Sequence, residues 1–118
     1  MRKVFHIIYN KFSTITVVLL LLTLALTLCS LNSSTKIPDH DKLYHLIIFS
    51  LLSFPVSIRK PPFFISICMS FIFLGGLIEL IQPYFNRDSE FTDFLFNTLG
   101  ISIGIISGLF VRKYIFQR

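Results

Sequence analysis

The polar residues of this chain fall into three short groups set in nearly unbroken Phe, Ile, Leu and Val: Asp41, Lys42 and His45; Glu79 and Gln82; and Arg87, Asp93 and Asn97. Imidazole and carboxylate are the groups of general acid–base chemistry, while ammonium and guanidinium hold phosphates and carboxylates. On that basis His45 and Glu79 read as acid and base, with Asp93 orienting one of them. Lys42 and Arg87 read as the cations for an anionic group, and Asp41, Gln82 and Asn97 as further lining of the same cleft. Asp41 and His45 are four apart, Glu79 and Gln82 three, and Asp93 and Asn97 four, so each pair shares one edge of a helix. A metal held by His45, Glu79 and Asp93 is left open by the sequence on a weak signal, one histidine without a ligand-spaced partner, and the identity of any cofactor is left open with it.

Each residue alone has a plainer use. Asp39 or Asp41 can cap a helix, Arg87 can pair with Glu90 or a lipid phosphate, and Glu79 can sit neutral or salt-bridged as a packing device. The convergence is what argues for a site: an ionisable group within a span costs about 2.5–3.5 kcal/mol, so His45 and Glu79 should face one another or a wet cleft.

The elements that must position these residues are membrane helices. The 118 residues are 53% hydrophobic and only 14% charged, with a mean hydropathy of +0.75, which excludes an ordinary soluble domain. The formal charge of +5 comes without any basic run longer than two residues, so nucleic acid is not an expected partner and the charge reads as a topology signal. Uncharged or nearly uncharged runs predict an all-α, integral membrane four-helix bundle in a single domain, with spans at about residues 12–31, 40–58, 63–82 and 93–111. The first run resembles a signal peptide, but Leu26, Thr27 and Leu28 before Cys29 make a poor cleavage site, so an uncleaved span is expected. Pro38 suits the first turn of the second span, Pro55 is expected to kink its far end, and Pro61, Pro62 and Pro83 mark breaks. Cys29 and Cys68 fall at opposite depths and read as small hydrophobes.

Orientation follows from lysine and arginine. With a cytoplasmic N-terminus, Arg2, Lys3, Lys11, Arg59, Lys60, Arg112, Lys113 and Arg118 lie inside, and Lys36, Lys42 and Arg87 outside, eight against three. Both termini are thus expected inside, in the cytoplasm, and the three polar groups at the outer face. Gly100, Gly104 and Gly108 repeat every four residues in register with Asn97 and predict a close helix approach, with Gly75 doing likewise beneath Glu79.

The order of Asp41-Lys42-Leu43-Tyr44-His45 with Phe49, Glu79-Leu80-Ile81-Gln82, Arg87, and Asp93-Phe94-Leu95-Phe96-Asn97-Thr98-Leu99-Gly100 with Gly104 resembles the VanZ-like family of bacterial membrane proteins across roughly residues 38–108. The resemblance implies a short, four-span member and a link to glycopeptide (teicoplanin) resistance in the cell envelope. Two functions are expected from this reading. In one, the outer cleft binds or modifies an anionic group of a membrane lipid or cell-wall precursor. In the other, the chain is a noncatalytic envelope component or small transport subunit whose polar residues lock the helix bundle.

Overall fold

The computed structural model describes residues 1–28, 38–85 and 90–117, with the backbone alone for 38–41. Among the described residues there are five α-helices and no strand: α1 (Arg2–Asn10), α2 (Phe12–Leu28), α3 (Pro38–Arg59), α4 (Phe64–Ile81) and α5 (Phe91–Phe116), with a 3-10 turn at Gln82–Phe85 after α4. Residues 42–59, 64–85 and 91–116 are long and apolar enough to cross a membrane; α1 and α2 pass that test only together, as a pair bent by 84°. The molecule measures 49 × 26 × 22 Å, and the long dimension suits a bilayer of about 40–45 Å with its head groups.

Helices stand at three of the expected spans with shifted ends, and α2 stands at the first without being long enough to pass alone. α5 continues through Arg112 and Lys113 to Phe116, five residues past the expected stop at 111. Pro55 does not end α3; it is buried, and the helix runs on to Arg59. Lys60 then adopts φ 49°, a left-handed conformation that, with Pro61 and Pro62, turns the chain back into α4. Residues 29–31 of the first expected span lie outside the described residues, as does Cys29, while Cys68 is buried as a free thiol.

The segment before Phe12 is not a plain basic flank. Residues 2–10 form α1, which carries Arg2, Lys3, His6 and Asn10 on one side and Val4, Phe5, Ile7, Ile8 and Tyr9 on the other.

α3 and α5 form the seam on which the rest is assembled, and they run parallel. Contacts advance together along both: His45 meets Asn97, Ser50 Oγ donates to Gly100 O (2.8 Å), Ser53 Oγ to Ile101 O (3.1 Å), and Arg112 Nη1 to Ile58 O (2.9 Å) and Arg59 O (2.8 Å). Glycine makes this approach attainable, since a Cβ on Gly100 would strike Leu46 O and one on Gly104 would strike Ser53 Oγ and Ser50 O. Phe49, Leu52, Val56, Phe71, Ile78 and Ile101 form the core cluster, with Leu20, Leu24 and Leu28 of α2 packed on it.

Candidate functional site

The site is built where the N-terminal parts of α3 and α5 meet the C-terminal part of α4. His45 points from α3, Glu79 from α4 and Asn97 from α5; their exposures are 2%, 9% and 0%. Asn97 stands at the centre. Its Nδ2 donates to Glu79 Oε1 (3.2 Å) and, more weakly, to Gly75 O (3.5 Å). Both partners are acceptors, so the amide oxygen must face His45, and the 2.7 Å contact there is His45 Nδ1–H donating to Asn97 Oδ1. The imidazole is therefore held through Nδ1, and Nε2 is left as the nitrogen for any proton transfer or ligation. Glu79 Oε1 lies 3.7 Å from His45 Nδ1, within ion-pair range but beyond a hydrogen bond.

This places the orienting role differently from the sequence reading. Asn97, expected in the cleft lining, fixes His45, whereas Asp93 takes part in a capping box that starts α5: Asp93 Oδ2 accepts from Glu90 N–H (3.4 Å), and the Glu90 side chain accepts from the backbone N–H of Asp93. Asp93 is nonetheless buried beside the other two, and His45, Glu79 and Asp93 each offer a ligand atom within 4.8 Å of one another, so the mixed nitrogen and oxygen donor set named from the sequence comes together here.

The remaining expected residues divide. Lys42 lies at the rim with its ammonium 3.8 Å from Glu90 Oε2. Gln82 is buried and turned towards α2, where its Nε2 donates to Thr27 O (2.9 Å) and ties the end of α4 to the end of α2. The side chain of Asp41, and Arg87 as a whole, lie outside the described residues. Gly75 packs on Asn97, where an added Cβ would stand 3.3 Å from both Cβ and Nδ2, and Gly100, Gly104 and Gly108 line the α3 seam.

The three helices close on each other at the triad, and entry is from the side. A pocket of about 320 Å³ lies between α4 and α5, lined by Gly76, Glu79, Leu80, Glu90, Phe91 and Phe94. Its wall is almost wholly apolar apart from the two carboxylates, and Leu80 and Phe91 are among the most exposed apolar residues. Two features escaped the sequence reading. Ser50, Ser53 and Ser57 repeat at three and four residues, a signal for the polar face of α3 that meets the glycines. Glu90 is the other, an N-cap whose position three before Asp93 could have been read as a box.

No family model, no curated protein and no solved structure matches the chain.

Proposed function

We propose that the chain is an integral protein of a bacterial cytoplasmic membrane, of the VanZ-like kind, whose buried polar centre at the outer face receives and modifies the anionic head group of a lipid or lipid-linked cell-wall precursor. The observation that carries this reading is the double position of Glu79. It accepts a hydrogen bond from Asn97 within the triad and also lines a pocket that opens sideways, between helices, onto the surface where lipid would lie. An apolar side door is suited to a substrate that arrives with its acyl or prenyl chain in the bilayer.

In this reading Asn97 holds His45 in one tautomer, so that Nε2 exchanges a proton with the head group, and Glu79 serves as the complementary acid or base. Lys42, next to Glu90 at the rim, and Arg87 bind the phosphate or carboxylate. Cytoplasmic termini belong to this reading, and the eight-to-three distribution of lysine and arginine supports them.

A second reading has one observation in its favour: the bonded side chains come from three different helices, as a structural lock would demand. Lipid and wall-precursor profiles by mass spectrometry separate the two. A strain lacking the chain should accumulate an unmodified lipid or precursor, and Glu79→Gln, which keeps the acceptor for Asn97, should reproduce that profile at normal protein abundance. Profiles identical to wild type in both strains would leave the lock, and a teicoplanin susceptibility unchanged by deletion would remove the resistance link.

A further inference from the structure

The end of the bundle opposite the triad carries a feature that the proposed site does not use. α1 turns 84° away from α2, so a bundle standing across a bilayer leaves α1 lying in the plane of its surface. Part of its apolar side is satisfied by protein, since Phe5 meets Phe54 at 6.5 Å between centroids and Tyr9 stacks on Phe116 at 4.5 Å, while His6 of the polar side meets the edge of Phe116 at 4.8 Å. Val4 and Ile7 are not, and stay 57% and 56% exposed on the same helix as Arg2 and Lys3.

Cations gather at this end without acids. Two of them have structural work: Arg59 lies 4.4 Å over the ring of Tyr9, and Arg112 caps the last carbonyls of α3 at Ile58 and Arg59. Arg2, Lys3, Lys11, Lys60 and Lys113 are exposed, and none is in an ion pair among the described residues. The six acids of the chain stand at positions 39, 41, 79, 88, 90 and 93, and along α5 the distance from Asn97 to Lys113 is about 24 Å at 1.5 Å per residue. A charge separation of that kind is much larger than either helix end needs for its dipole.

We infer that this end is a binding surface for anionic phospholipid, with α1 as an in-plane anchor. Val4 and Ile7 enter the boundary between head groups and acyl chains, and the five exposed cations hold lipid phosphates around the mouth of the bundle. An amphipathic helix with basic residues on its polar side and apolar residues on the other is the element that lies in such an interface. The long apolar helices, which bring the basic cluster to a bilayer surface, select lipid over a soluble polyanion. This inference is independent of the reaction proposed for the triad.

The test uses the full chain reconstituted in phosphatidylcholine bilayers, with the association of spin-labelled phosphatidylglycerol measured relative to spin-labelled phosphatidylcholine. Wild type should prefer the anionic lipid several-fold at low salt, and the preference should fall towards unity in 1 M NaCl, where the screening length is about 3 Å. Arg2→Gln, Lys3→Gln, Lys60→Gln and Lys113→Gln together should bring the several-fold preference close to unity, and each alone should remove part of it, since each charge near an anionic surface contributes to the attraction. Lys60→Gln and Lys113→Gln singly, both at exposed positions, give the same readout should the combined variant not fold. A relative association near unity at low salt, or a preference kept by the neutralised variants, overturns the inference.

Discussion

Replacing the seam glycines of α5 by alanine should separate α3 from α5, and the size of the effect can be worked from the contacts. At Gly108 an added Cβ stands 2.5 Å from Ser57 Cβ and 2.8 Å from Phe54 O, against roughly 3.5–4.0 Å for a relaxed carbon contact, so the helices must part by about 1 Å. At Gly104 and Gly100 the obstacles are closer still and are largely backbone: Ser50 O and Leu46 O, with the Ser53 hydroxyl beside Gly104. A rotamer change cannot relieve them. Overpacking of this kind costs about 1–3 kcal/mol, the Ser50 and Ser53 hydrogen bonds across the seam add about 1 kcal/mol, and alanine's better helix propensity offsets about 1 kcal/mol. Gly104→Ala should therefore lose about 2 kcal/mol net. Gly76→Ala is the internal control, because its Cβ would stand 3.5 Å from Phe94 Cε2, an ordinary contact; it should be neutral or stabilising by up to about 1 kcal/mol. Gly100→Ala combined with Gly104→Ala should cost less than the sum, since one separation accommodates both methyls. Reversible unfolding in mixed micelles, followed by circular dichroism, gives these differences. Equal stability of Gly104→Ala and wild type, or an equal loss in Gly76→Ala, would refute the close parallel seam.

Two further outcomes test the triad and the topology. Asn97→Leu, which keeps the branched shape of the side chain, removes the acceptor of His45 Nδ1–H and the donor to Glu79 together and should cost about 1–3 kcal/mol in the same unfolding assay. Asn97→Asp should be worse than Asn97→Leu at neutral pH, since it sets a second carboxylate oxygen against Glu79 Oε1, now 3.2 Å from Asn97 Nδ2; no loss in Asn97→Leu would mean that Asn97 serves by filling space alone. Reporter fusions check the orientation: a periplasm-dependent reporter joined after residue 36 should be active and one after residue 60 inactive, and the opposite pattern would place the triad on the cytoplasmic side.

How much of this was legible in the sequence depends on the range of the forces involved. His45, Glu79 and Asn97 could be brought together from hydropathy and helix spacing, because span lengths fix depth and the cost of burying ionisable groups turns them inward. Which of them bond could not be read, since that turns on rotations about each helix axis. Asn97 bonds the imidazole at 2.7 Å, while Asp93, at the third position of α5, closes the cap with Glu90. The bond of Gln82 could not be read for a related reason: just beyond the end of α4, its Nε2 reaches Thr27 O of α2. α1 was hidden because its charges serve equally well as a basic flank, and only the 84° bend at Lys11 separates an in-plane helix from the start of a span.

The seam joins the two ends of the molecule into one argument. Its register is stated three times by unrelated chemistry: a side-chain pair at His45 and Asn97, serine hydroxyls on Gly100 O and Ile101 O, and the Arg112 guanidinium on the last carbonyls of α3. A slip of one helical turn, about 5.4 Å, would break all three at once and drive Cβ-bearing residues of α5 into the α3 backbone. Parallel neighbours joined through an intervening antiparallel helix have no short loop to set their register, so side chains must do it. Glycine at every fourth position admits the close approach, and the polar groups at the two ends decide where along the seam it stops. The triad accordingly has a positioning role even where it also has a chemical one, and a substitution that keeps its hydrogen bonds while removing its charge, such as Glu79→Gln, is the change that can tell the two apart.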